Sequence, residues 1–98
     1  MRRPDPEKLY TLQKAGLEKL MADQNAGKVR LADSQKMILV IMNGLLSESS
    51  PVVSESILAE ALEVAEVRVP WSVFLDRMPS LVQYGLVDVV RVGRSDIN

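Results

Sequence analysis

The residue types that carry most enzyme chemistry are thin in this chain. It has no histidine and no cysteine, which removes imidazole bases, thiolate nucleophiles, disulfides and thiolate or imidazole metal sites together. Two groups still invite a chemical reading. Glu60, Glu63 and Glu66 follow one another at helical spacing, as carboxylates of a metal or acid–base site would. With no histidine and no supporting polar cluster, the row reads better as a solvated helix face. Ser47, Ser49 and Ser50 offer hydroxyls, but no base nearby would activate one, so they read as loop. No glycine-rich phosphate loop is present. The expectation is a protein that is not an enzyme, with no metal and no cofactor.

Length and composition suit one small domain with a real core: 98 residues, 47% hydrophobic and 26% charged. A formal charge of -1 and a pI near 5.4 exclude a broad basic field. The charge is unevenly spread. Residues 1–36 hold eight Lys/Arg against five Asp/Glu, a balance of +3, while residues 37–98 hold four against eight, a balance of -4. No apolar run follows the opening Met-Arg-Arg-Pro-Asp-Pro, and the longest apolar stretch, 37–46, is about half a bilayer span. A cytoplasmic protein with no membrane partner is expected.

The elements that must position any site are punctuated by Gly, Pro and Ser. Leu9, Tyr10, Leu12, Gly16, Leu17, Leu20 and Met21 share one side of a 3.6-residue period, opposite Glu7, Lys14 and Glu18, and predict a helix capped by Asp5 with Pro6 in its first turn. A basic connector, Lys28-Val29-Arg30-Leu31, alternates charged and apolar residues. Asp33-Ser34 then offers a cap for a buried helix over 37–46. Pro51-Val52-Val53 fits a turn or a two-residue strand. Ser54 caps a helix over 55–65 with Ile57, Leu58, Ala61, Leu62 and Ala65 inside and Glu55, Glu60, Glu63 and Glu66 outside. Over 70–84, Val73, Phe74, Arg77, Leu81 and Tyr84 recur at helical spacing, Gly85 is a natural stop, and Pro79 should kink or split the helix near Met78. The β-branched run 86–92 reads as a strand ending in a Gly-Arg-Ser-Asp turn.

This order of elements resembles the winged helix-turn-helix superfamily. The carrying residues are Ser54-Glu55-Ser56-Ile57-Leu58-Ala59-Glu60-Ala61-Leu62, similar to a positioning helix, and Leu81-Val82-Gln83-Tyr84-Gly85-Leu86-Val87, similar to the end of a recognition helix entering the wing. The likeness spans about residues 34–94. It departs from the family pattern in a longer turn over 63–69 and in a returning wing strand that is nearly missing, with only Ile97 and Asn98 after the wing turn. The fold so implied is mostly α (α+β), a winged helix with a short or incomplete wing over 32–98, preceded by an N-terminal helical extension and connector over 1–31.

The resemblance implies a DNA-binding protein, a transcriptional regulator or a replication or partition accessory factor, with the 70–84 helix in the major groove of double-stranded DNA. Trp71, Ser72 and Arg77 would meet the groove, with Arg77 suited to guanine and Gln83 to adenine. Arg91 and Arg94 at the wing, helped by Lys28 and Arg30, would meet phosphate. The same helix face also fits an ordinary solvated surface, and Trp71 fits a half-buried core residue. Leu9, Tyr10, Leu17, Leu20 and Met21 suit core packing, a homodimer interface, or both. The alternative function is a winged helix that binds a protein partner as an adaptor or assembly subunit, a reading favoured by the acidic C-terminal half.

Overall fold

The computed structural model describes residues 3–91. In chain order its elements are β1 (Lys8–Leu12), α1 (Lys14–Asn25), α2 (Asp33–Leu45), β2 (Val53–Ser54), α3 (Glu55–Glu63), α4 (Trp71–Tyr84) and β3 (Val87–Arg91). The strands form one antiparallel sheet in the order β2-β1-β3. The described residues are therefore an α+β fold of four helices and a three-stranded sheet.

The N-terminal segment departs most from the sequence reading. No helix runs from Asp5: residues 8–12 are a strand, and the helix begins only at Lys14. Asp5 does not cap it, and its Oδ1 accepts from the Glu7 amide at 2.8 Å in a local turn. The reason is tertiary. β1 is the central strand, with Leu9 and Tyr10 opposite Ser54 and Val53 on one edge and Lys8 through Leu12 opposite Arg91 through Val87 on the other. As a helix, the same residues would leave the inner edges of β2 and β3 without partners. The strand's period of two puts Lys8, Tyr10 and Leu12 on one face, and Tyr10 enters the core at 1% exposure.

α1 rests on the C-terminal end of α4. The Gln13 amide donates to the Leu86 carbonyl at 2.8 Å, Gly16 lies directly against the Gly85 backbone, and Tyr84 Oη donates to Asp23. The Lys19 ammonium stands 5.4 Å from the centre of the Tyr84 ring. Leu20 is buried beneath this contact.

α2 forms where the apolar run predicts it, but Asp33 and Ser34 do not cap it. Ala32 precedes the first turn, and its amide is satisfied by Gln35 Oε1 at 2.9 Å. Asp33 sits inside that turn, where its charge suits the helix N-terminus. Ile38, Leu39 and Met42 are buried, whereas Val40 faces outward.

β2 is a two-residue strand, and Ser54 Oγ accepts from the Ile57 amide at 3.3 Å, the cap expected for α3. α3 ends at Glu63, short of the expected 65. Glu55 is not on the outside as expected: it is fully buried. Its Oε2 accepts from Tyr10 Oη at 2.6 Å and its Oε1 from the Asp5 amide at 2.9 Å, with Lys8 Nζ 3.9 Å away. A carboxylate at the first position of a helix, facing two donors, can be buried because each oxygen keeps a partner.

α4 runs unbroken through Pro79, so of the kink or split expected near Met78 the split is absent. The ring forfeits the bond to the Leu75 carbonyl, but Phe74, Met78 and Leu81 form one buried stripe across the site, and that burial holds the helix together. Gly85 ends it at φ 93°, with its amide donating to Val82 and the Leu86 amide to Leu81, both at 3.1 Å. This left-handed turn is open to glycine at no steric cost.

Candidate functional site

α4 presents Ser72, Asp76, Arg77, Pro79, Ser80 and Gln83 outward. Arg77 is its only cation, 3.9 Å from the exposed carboxylate of Asp76, so this surface has no net charge. Trp71 is half-buried, with its ring stacked on Phe74 at 5.1 Å between centroids and 16° between planes. Phe74 in turn meets Tyr10 edge-on at 6.0 Å. The indole thus belongs to an aromatic cluster that joins α4 to β1.

A neighbouring element that carries further cations touches α4. Gln35 Nε2 donates to Ser80 Oγ at 2.7 Å, and Ser80 Oγ donates to the Arg77 carbonyl at 2.7 Å. This chain seats the first turn of α2 on the turn of α4 that carries Arg77. Lys36 adjoins Gln35, and Arg30 and Lys28 lie on the connector leading into Ala32. All three are exposed and form no ion pair among the described residues. Sequence reasoning singled out Lys28 and Arg30 but missed Lys36, because only the Gln35–Ser80 bond shows that the start of α2 touches α4. Arg91 is the last residue of β3, and Arg94 lies outside the described residues.

The five residues expected at a dimer interface separate. Tyr10 and Leu20 are spent within the protomer at 1% and 4% exposure, Leu9 and Leu17 are half-buried, and Met21 stands out at 63%. Tyr10 and Leu9 belong to β1, so they do not share a helix face with the other three.

The carboxylate row does not converge: Glu60 and Glu63 lie on α3, and Glu66 lies beyond its end. Glu63 accepts from Arg68 Nε at 2.6 Å, a contact that holds the Arg68 guanidinium above its ordinary value through the hydrogen bond and the opposite charge. Among the described residues no three acidic side chains come together as a metal site would need. No helix among them is long and apolar enough to cross a membrane.

A cleft of about 440 Å³ opens between α4 and the sheet. Leu75, Met78 and Val82 of α4 and Val89 of β3 give it an apolar lining, and Lys8, ion-paired with Glu55 at 3.9 Å, and Gln83 bring polar side chains to it. The Tyr10 hydroxyl, also beside the cleft, is already bonded to Glu55. Lys8 carried no functional reading from sequence, because its place on the cleft depends on residues 8–12 being a strand.

Comparison of the chain with known protein families, curated proteins and solved structures gives no match.

Proposed function

We propose that this chain is a DNA-binding domain of winged-helix type, with α4 as its groove-reading helix. The order β2, α3, α4, β3 follows the winged-helix succession. β1 supports the reading by supplying, from the N-terminal side, the central antiparallel strand that a returning wing strand would otherwise contribute. The observation that carries the proposal is the Gln35–Ser80 bond. It seats the first turn of α2 on the turn of α4 that carries Arg77; the exposed Lys36, next to Gln35, and the exposed Lys28 and Arg30, on the connector before it, are the cations assigned to phosphate. Ser72, Arg77 and Gln83 then face base edges, and Arg91 and Arg94 extend the phosphate contacts at the wing.

Fluorescence anisotropy with a labelled mixed-sequence duplex tests this. Five phosphates neutralised by Lys28, Arg30, Lys36, Arg91 and Arg94 give a slope of about -4.5 in log K against log salt. Replacing Lys28, Arg30 and Lys36 by Gln should flatten that slope by about 2.7. Absence of binding at low salt, or an unchanged slope, overturns the reading.

A second reading is favoured by one observation: Asp76, 74% exposed beside Arg77, would face phosphate in a DNA complex. If no duplex binds, docking of α4 on a protein partner becomes the better account.

A further inference from the structure

We infer that the cleft between α4 and the sheet is a binding site for a small amphiphilic carboxylate, an apolar chain or ring bearing a single carboxyl group. The inference is independent of the DNA reading.

Its volume, about 440 Å³, falls within the roughly 300–1,000 Å³ of small-molecule sites, and its make-up, an apolar lining with few polar groups, is theirs as well. Leu75, Met78, Val82 and Val89 would take the apolar body. Val89 is 38% exposed, so part of its side chain is open to water on the sheet.

The choice of head group comes from Lys8. Its side chain is 33% exposed, and its ammonium stands 3.9 Å from Glu55 Oε2, beyond hydrogen-bond reach. That carboxylate already takes Tyr10 Oη and the Asp5 amide. Lys8 also lies 5.8 Å from the centre of the Tyr10 ring, which steadies the cation without using an N–H. Its charge faces Glu55 across the 3.9 Å gap, but among the described residues its three N–H donors form no hydrogen bond, and they stand at the edge of an apolar cleft. A carboxylate would accept from them in a charge-assisted bond, and the Gln83 amide offers a further donor. An amine head group would meet Lys8 as a like charge, and an alcohol would forgo the ionic part of the bond.

Trp71 is the only tryptophan and stacks on Phe74, which lines the cleft, so its fluorescence reports occupancy. The full chain is titrated with decanoate, decanol and decylamine below their micelle concentrations. Binding of carboxyl-labelled decanoate is followed in parallel by the NMR line width of its carboxyl carbon. Decanoate should saturate, bind about tenfold more tightly than decanol, and leave decylamine weakest. Lys8→Met should bring decanoate down to the affinity of decanol. Val89→Glu, which sets a carboxylate on the cleft wall diagonal to Lys8, should weaken decanoate while sparing decylamine, and it serves alone if Lys8→Met does not fold. Saturation by none of the three, equal binding of decanoate and decanol, or selectivity that survives in the folded variants overturns the inference.

Discussion

Gly16 and Gly44 both lie inside helices, yet alanine should act on them with opposite sign. A Cβ on Gly16 would overlap the Gly85 carbonyl oxygen, lie 2.8 Å from its carbon and 3.1 Å from Leu86 Cα. All of these are backbone atoms at the left-handed turn that ends α4, so no side-chain rotation relieves the overlap. A Cβ on Gly44 meets nothing within 4 Å. Alanine gains about 0.5–1 kcal/mol over glycine in a helix interior, whereas forced overpacking costs roughly 1–3 kcal/mol. Gly16→Ala should therefore lose about 1–2 kcal/mol net, and Gly44→Ala should gain about 0.5–1 kcal/mol. Urea unfolding followed by circular dichroism resolves the difference, since a slope of about 1–3 kcal/mol per molar converts these values into opposite shifts of the midpoint, roughly 0.3–2 M down for Gly16→Ala and roughly 0.2–1 M up for Gly44→Ala. The thermal midpoint should move by about 4–8 °C per kcal/mol in the same directions. If Gly16→Ala stabilised the protein as much as Gly44→Ala does, α1 would not be docked on the Gly85 turn and the close approach would be refuted.

Three other outcomes follow from the same geometry. Glu55→Ala should destabilise by about 2–3 kcal/mol in chemical unfolding, since it strands the Tyr10 hydroxyl and the Asp5 amide, and Glu55→Gln should cost less because one acceptor remains; equal costs would mean that the carboxylate does not hold the N-terminal segment. The hydrogen bond to Asp23 is the main cause that raises the Tyr84 phenol above its ordinary value of 10.0, with burial and the Asp23 charge adding to it. Folded Tyr84 thus keeps its proton where the unfolded chain loses it, and the bond's contribution is complete below pH 10 and declines as pH rises through the folded value. The alkaline loss of stability should be shallower in Tyr84→Phe than in the wild type, and the tyrosinate absorbance titration of the wild type should contain a late phenol that Tyr84→Phe removes. Pro79→Ala should stabilise by about 1–2 kcal/mol in thermal unfolding, restoring the bond to Leu75 in a helix that is already continuous; a loss would mean that the exposed ring packs favourably where it stands.

What local chemistry specifies, the sequence alone determined. The Ser54 cap, the Gly85 stop, the helix over the 37–46 apolar run and the strand after Gly85 all depend on residues within a turn or two of one another, so composition and spacing reveal them. The absence of histidine and cysteine likewise bounds the chemistry without any structure. Only the tertiary structure decided the fate of residues 8–12. Leu9, Tyr10 and Leu12 satisfy a helical period together with Leu17 and Leu20, and equally satisfy a strand with Tyr10 and Leu12 inward. The choice depends on two strand edges contributed from residues 53–54 and 87–91, which no local window contains. Glu55 follows from it: a glutamate after a serine cap reads as solvated until β1 brings Tyr10 and Asp5 against it. The candidate sites share this dependence. The first turn of α2, which carries Lys36, meets the Arg77 turn of α4 through the Gln35–Ser80 bond, and Lys8 reaches the cleft only because β1 is extended. Pairing partners far along the chain decide these positions, because hydrogen bonds at a sheet edge outweigh a periodicity that both structures accommodate.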